Sequence, residues 1–194
     1  QKVNETAHTL DRMLIKLQSI STGIGQELIY ENIFIEELFK RKITRYSQEF
    51  IRYNIQVVME ADSGLYIASN LLLSRVILSN LIENSIAYRN KENPLIKLKG
   101  YRQHEHIYIE IEDNGQGIDE VQLPKIFDMF HRGTENSKGN GLGLYIVKKC
   151  VEKLKASITV QSTLGKGTLV RLQFPTSPSS KDTSIVSKLN NNLN

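Results

Sequence analysis

The run "HIYIEIEDNGQG", residues 106–117, restricts the fold more than any other stretch of the chain. Its strict alternation puts Ile107, Ile109 and Ile111 on one face of a strand and Tyr108, Glu110 and Glu112 on the other. Such a strand belongs to a sheet with one face packed against an apolar layer. Asp113 falls on the isoleucine side, where a carboxylate is costly unless something there donates hydrogen bonds to it. The plain alternative is a turn cap, since Asp-Asn-Gly is a common turn sequence.

The cover for that face is legible nearby. The segment "NLLLSRVILSNLIENSIAYR", residues 70–89, is strongly apolar and long enough to be a mostly buried helix. A second helix is expected from about Ile33 to Phe50, and "GLGLYIVKKCVEKL" restarts one with Leu144, Val147, Val151 and Leu154 facing inward. "IQVVMEA" reads as a strand followed by a turn at Asp62–Gly64. "PLIKLKGYRQHEHIYIEIED" reads as two strands joined by a polar turn, which leaves His104 and His106 as turn residues or, less simply, a metal pair. "ASITVQSTLGKGTLVRLQFP" is a hairpin turning at Leu164–Gly167, and "HRGTENSKGN", residues 131–140, is a polar loop.

Outside this core, residues 1–28 carry Val3, Ala7, Leu10, Leu14, Leu17, Ile24 and Leu28 in a heptad seam that suits a bundle helix. The Ser- and Asn-rich end, 176–194, reads as disordered tail or linker. A length of 194 residues allows one domain and a short accessory element. The net charge of +4 is spread along the chain, and its densest basic stretch, "KKCVEKLK", reads as a solvated helix face, so no nucleic-acid partner is expected. The single cysteine, Cys150, lies in the apolar phase of its helix and rules out an internal disulfide. No apolar run approaches the roughly 20 residues that span a bilayer. The chain opens at Gln1, so it is expected to be part of a longer protein, with any membrane segment elsewhere.

Three polar constellations remain. Asn80 and Asn84 lie four apart and share one helix face. They suit either a helix–helix hydrogen-bond pair or, through their amide oxygens, a hard cation such as magnesium. "GNGLGL", residues 139–144, opens a helix, where free backbone N–H groups make an anion site. A polar loop precedes it rather than a strand, which excludes the dinucleotide-binding βαβ unit. Asp113, with Gly115 and Gly117 beside it, could accept the exocyclic amino group of adenine.

With these pieces in this order, the sequence resembles the ATP-binding catalytic domain of sensor histidine kinases, in the superfamily of gyrase, heat-shock chaperone and mismatch-repair ATPases. "NLIENSIAYR" resembles the N box, "DNGQGI" the G1 box, "FDMFHR" the F box, "GNGLGL" the G2 box and "GKGT" the last glycine box. The resemblance covers about residues 31–175. It implies an α/β two-layer sandwich of the Bergerat type, a mixed sheet covered on one face by helices and preceded by an N-terminal bundle helix. Residues 1–30 would be the second helix of the dimerisation and phosphotransfer hairpin, 31–175 the catalytic domain and 176–194 the tail. Asp113 would read adenine, flanked by Gly115, Gly117 and Ile118 and supported by Thr168 through water. Asn84 would be the magnesium ligand, Asn80 would stand near the phosphates and Tyr88 would lie against the adenine. Gly139, Gly141, Leu142, Gly143 and Leu144 would bind phosphate at the base of a lid, within reach of Arg132. Two departures stand out. Ala87 replaces a frequent lysine, leaving Arg89, Lys138 or Arg132 to supply the missing phosphate contact, and Ser85 replaces the usual alanine, a small change.

The resemblance also bears on the reaction. Hydrolysing relatives carry a glutamate where this chain has Asn80, and an amide cannot take a proton from water. Asn80, standing near the phosphates, and Glu83 are the candidate catalytic residues, with proton-transfer assistance falling to Glu83, about 100° around the helix from Asn84. The γ-phosphate of Mg-ATP is expected to pass to a histidine, with relay to a response regulator receiver domain. His8 lacks the acidic and proline neighbours of the family's acceptor, so that histidine is expected outside this chain. The full-length protein is expected to be a homodimeric phosphoprotein joined through its N-terminal helix. Its cytoplasmic catalytic part would stand beneath the bacterial inner membrane. Two other readings are a nucleotide-binding regulatory module without transfer and an anti-sigma-type serine kinase.

Overall fold

A computed structural model describes residues 28–131 and 141–176. The heptad seam before Leu28, His8, the loop from Arg132 to Asn140 and the Ser/Asn-rich end therefore lie outside the described residues.

The elements run β1 (Glu31–Phe34), α1 (Ile35–Arg45), α2 (Ser47–Arg52), β2 (Gln56–Ala61), β3 (Tyr66–Ser69), α3 (Leu71–Ala87), β4 (Leu95–Gln103), β5 (His106–Asp113), a short 3-10 turn at Leu123–Lys125, α4 (Gly143–Lys153), β6 (Ser157–Thr163) and β7 (Gly167–Pro175). Five strands form one mixed sheet in the order β2-β4-β5-β7-β6; β2 pairs parallel with β4 and the others are antiparallel. The parallel pair requires a crossover, and α3 lies within it. The helices cover one face only, giving the expected two-layer α/β sandwich.

On the covered face the register stacks apolar rows across the strands. Leu98, Ile111, Val170 and Val160 make one row, and Gly100, Ile109, Leu172 and Ile158 the next. Gly100 carries no side chain because α1 sits directly on it: a Cβ there would come within 2.6 Å of Ile35 Cγ2. At the other end the rows turn polar. Ile96, Asp113, Thr168 and Ser162 are register neighbours on β4, β5, β7 and β6.

Helix α3 is capped by Asn70, whose side chain accepts from Leu73 N at 3.0 Å. It buries Leu73, Ile77, Leu78, Leu81, Ile82 and Ile86 between sheet and neighbouring helices, each worth about 1.5–3 kcal/mol. Polar ties fix the helix to its surroundings. Ser74 and Ser69 share a hydrogen bond at 3.0 Å, while the buried Lys42 of α1 donates to the Arg75 carbonyl at 2.9 Å and to Ser79 Oγ at 2.5 Å.

The single helix expected over 33–50 is instead a strand and two helices. Ile33 pairs with Ile67 in the β1–β3 ribbon, and Tyr46 interrupts the helix between α1 and α2. Both ribbon strands escaped the sequence reading, because four residues are too few for a period to be visible and their pairing is long-range. His104 sits in the β4–β5 turn with φ +54° and His106 opens β5. Among the described residues no group of three His, Cys, Asp or Glu side chains is placed to hold a metal. In α4, Val147, Val151 and Leu154 are buried as expected, Leu144 only half so, and Ile146 joins them.

Cys150 is fully buried in α4, and burial pushes its thiol up to about 11. The thiolate is therefore scarce near neutral pH as well as inaccessible. Maleimide is expected to label the folded protein slowly and the urea-unfolded chain at least about tenfold faster; equal rates would contradict this packing.

Candidate functional site

Two half-sites converge on the polar end of the sandwich, one built on β5 and the other on the α3–α4 contact. At the first, Asp113 ends the isoleucine row and is met by donors from three elements. Ser85 of α3 donates its hydroxyl to Oδ2 at 2.8 Å, and the Gly115 N–H donates to Oδ1 at 2.9 Å. The Thr168 N–H of β7 adds a third. Burial raises the carboxyl above its ordinary range, and these three donors pull part of that shift back. The sign follows: this group favours folding below its unfolded pKa, and that contribution is lost as pH rises through the raised folded value.

The loop after Asp113 is shaped by its own backbone. A Cβ on Gly117, which has φ +68°, would clash with the Thr163 carbonyl, and one on Gly115 would clash with the Tyr88 carbonyl and the Asp113 carboxylate. The Gln116 N–H donates to that Tyr88 carbonyl at 2.9 Å, so the end of α3 holds the loop. The Ile118 N–H donates to Ser162 Oγ at 2.9 Å, and Ser162 Oγ lies 2.9 Å from Thr168 Oγ1.

At the second half-site, Asn80 and Asn84 both face the start of α4. A Cβ on Gly143 would lie 3.6 Å from the Oδ1 atom of each. Asn80 is buried and its Nδ2 donates to the Val76 carbonyl at 2.8 Å, which orients the amide and sends Oδ1 toward Gly143. Gly141, at φ +69°, turns the chain into α4, its carbonyl accepting from Phe130 N at 3.0 Å, and Leu142 plugs into the core at the helix start. The two amide oxygens suit a hard cation that keeps most of its ligands as water and anionic oxygens, and the helix N terminus beside them suits the anion.

The remaining sequence candidates are distributed as follows. Tyr88 caps α3 beside the Asp113 loop, and Leu144 is half-buried on α4. Glu83 is on the exposed flank of α3, where its carboxylate accepts the Tyr46 hydroxyl at 2.9 Å. Arg132, Lys138 and Gly139 lie outside the described residues. Arg89 does not point its charge at the amide pair: it stacks 3.6 Å from the Tyr53 ring centre and donates to the Ile86 carbonyl. Two hydroxyls were undervalued by sequence reasoning. Ser85 is no small change, since it donates to the buried carboxylate. Ser162 shares the inward phase of Val160, and counting back from the expected turn would have put it opposite Thr168.

The fold agrees with the comparisons to known proteins. A family model described as histidine kinase-, DNA gyrase B- and HSP90-like ATPase matches residues 70–178. The chain belongs to that family. The sensor protein RprX of Bacteroides fragilis (strain YCH46) is 32% identical over 146 residues, covering 72% of this chain and 28% of RprX. The sensor protein kinase GraS of Staphylococcus aureus (strain Newman) is 30% identical over 137 residues, covering 69% of this chain and 38% of GraS. The chain thus spans well under half the length of these relatives. Among solved structures, the Acinetobacter baumannii histidine kinase AdeS superposes with a TM-score of 0.75 at 17% identity, over 91% of this chain and 83% of that one. The catalytic domain of the histidine kinase ThkA gives 0.68 at 23% identity, over 77% and 97%. Both share the fold.

Replacing Ser85 with Ala removes a donor that favours the ionised form of Asp113. Its carboxyl is expected to titrate at still higher pH, read from the side-chain carbon shift by NMR, with the fold retained. A lower or unchanged value would mean that Ser85 does not support the charge.

Proposed function

We propose that this chain is the catalytic ATP-binding part of a two-component sensor histidine kinase. In this reading it binds Mg-ATP and passes the γ-phosphate to a histidine outside the chain, for relay to a response regulator. One observation carries the proposal: consecutive residues of α3 serve the two half-sites, Ser85 reaching Asp113 and Asn84 facing Gly143. A base reader and a phosphate pole are thereby held at a fixed spacing by one rigid helix.

The residue roles follow from chemistry. Asp113, acceptor on both oxygens, suits the exocyclic amino group of adenine, with Thr168 beside it and Gly115, Gly117, Ile118 and Tyr88 framing the ring. Gly141, Leu142, Gly143 and Leu144 bring backbone N–H groups to the phosphates, and Gly139 and Arg132 would complete that end. Asn84, with Asn80 beside it, would hold magnesium through amide oxygens; the cation would neutralise charge developing on the phosphates. Asn80 cannot serve as a base, which disfavours hydrolysis and favours transfer. Glu83, oriented by Tyr46, is the carboxylate available to assist proton transfer. Sensor-kinase names among the relatives support this reading, as does the structural neighbour ShkA, solved in complex with AMPPNP. ThkA, solved in complex with the response regulator TrrA, supports a receiver domain as partner. Homodimerisation through residues 1–30, a tail at 176–194 and a cytoplasmic position in a membrane-anchored parent belong to the same proposal.

Calorimetry should show Mg-ATP binding that Asp113→Asn weakens by at least about 2 kcal/mol. Circular dichroism should remain native, because the variant removes a desolvated charge rather than a packing group. Unchanged affinity in the folded variant would remove Asp113 from the site.

Incubated with radiolabelled ATP, the chain alone should label almost not at all, because phosphoryl transfer needs an in-line nucleophile held close. Supplying the acceptor hairpin of a sensor kinase in trans should give acid-labile label that disappears with Asn84→Ala. Acid-stable label would point to a serine acceptor instead, and label lost with His8→Gln would place the acceptor within the chain.

A further inference from the structure

Asn114 followed by Gly115 is a step at which a backbone nitrogen readily attacks the preceding side-chain amide, because glycine puts no side chain in the way. The reaction needs only water. The Gly115 nitrogen bonds to Asn114 Cγ and gives up its proton, the Cγ–Nδ2 bond breaks and ammonia leaves; water then opens the cyclic imide to aspartate or isoaspartate. The sequence holds a second such step, Asn140 before Gly141, whose asparagine lies outside the described residues.

The fold keeps the two reacting groups apart. The Asn114 side chain is fastened on the β4 side: Oδ1 accepts from Leu95 N at 2.8 Å and Nδ2 donates to the Asn93 carbonyl at 2.7 Å. Its own N–H donates to the Leu95 carbonyl at 3.3 Å, carrying the β4–β5 ladder one pair past Asp113. The Gly115 N–H is directed elsewhere, to Asp113 Oδ1 at 2.9 Å. The outer anchor of this clamp is a turn, not a strand. Asn90 Oδ1 fixes it by accepting from Glu92 N at 2.8 Å and from Asn93 N at 3.2 Å.

We infer that Asn114 is a site of spontaneous deamidation, gated by opening of the turn at 90–93, and that its product disables the Asp113 half-site. The loss of binding rests on the nucleotide reading above; the gate does not. In the aspartate product an oxygen replaces Nδ2 and faces the Asn93 carbonyl, where a donor is needed. A new negative charge also stands one residue from Asp113, and a like charge disfavours the ionised acceptor. The isoaspartate product inserts a methylene into the main chain just ahead of Gly115, where even a Cβ would clash with the Tyr88 carbonyl.

The test follows the exchange of NH2 for OH at residue 114 by peptide-mapping mass spectrometry of protein held in mildly alkaline buffer, with residue 140 scored on its own peptide. Urea-unfolded wild type should deamidate at 114 at least about tenfold faster than the folded protein, because opening must precede attack. Asn90→Ala, folded by circular dichroism, should raise the folded rate about fivefold, the effect of losing a hydrogen bond that holds the turn. Equal rates in folded and unfolded wild type, or an unchanged rate in Asn90→Ala, overturn the gate; the wild-type comparison decides alone if Asn90→Ala does not fold. Calorimetry then compares wild type with Asn114→Asp. Mg-ATP affinity should fall at least about tenfold with the fold retained, and unchanged affinity overturns the disabling effect. Should Asn114→Asp not fold, the aged wild-type fraction modified at 114, separated by its added charge, takes its place. Wild type that binds no Mg-ATP would overturn the nucleotide reading and the disabling effect together, while the rate comparisons would still decide the gate.

Discussion

A carboxylate placed at the end of an apolar row is the constraint on which the rest of this structure hangs. Ionised Asp113 among isoleucines would be prohibitively costly without partners. Its partners come from Ser85 on α3, Gly115 in the following loop and the backbone of Thr168 on β7. Supplying them forces three elements far apart in sequence to meet at one point. The loop must double back tightly enough for glycine at 115 and 117, and β7 must lie beside β5 in a register that puts Thr168 opposite Asp113. Burial keeps the carboxyl raised even so, the donors offsetting only part of the desolvation.

Helix α3 carries two duties whose requirements conflict. As the cover of the sheet it must be apolar on nearly every side, and as the spine of the site it must bury Asn80 and Ser85. The conflict is settled locally. Asn80 donates back to Val76 one turn earlier, and Ser85 spends its proton on Asp113, so neither amide nor hydroxyl is buried without a partner. Rigidity follows from the same packing. Lys42 and Tyr46 on the α1–α2 side grip Ser79, the Arg75 carbonyl and Glu83, fixing the outer flank of the helix while the inner flank faces sheet and site. Burial raises the Tyr46 hydroxyl to about 12, so this grip holds its proton throughout the physiological range.

Ala87 leaves the amide-pair end of the site without the lysine that the resemblance led one to expect there. The nearest cation in sequence, Arg89, is committed to the Tyr53 ring and the Ile86 carbonyl, where it also complements the C-terminal end of α3. Its role is to close the helix against α2 rather than to meet a ligand. The amide oxygens of Asn80 and Asn84 suit a cation and the free N–H groups at the start of α4 suit an anion, a pairing that would fit a metal-bound polyphosphate.

Much of this was legible in the chain itself, because periodicity is a local property. The alternation of 106–113 fixed which side of β5 is buried and that Asp113 shares it; the apolar run at 70–89 fixed α3; and the spacing of Asn80 and Asn84 fixed that they face the same way. Tertiary structure decided what those faces meet. The β1–β3 ribbon depends on a pairing across more than thirty residues, so no window on 33–50 could separate its strand from the helix behind it. That Arg89 turns to Tyr53, that Ser85 serves Asp113 and that Ser162 pairs with Thr168 are likewise matters of which donor finds which acceptor. A sequence shows that hydrogen-bonding groups are present, but their directions are set only when strands and helices close around them, because each buried proton can be spent once.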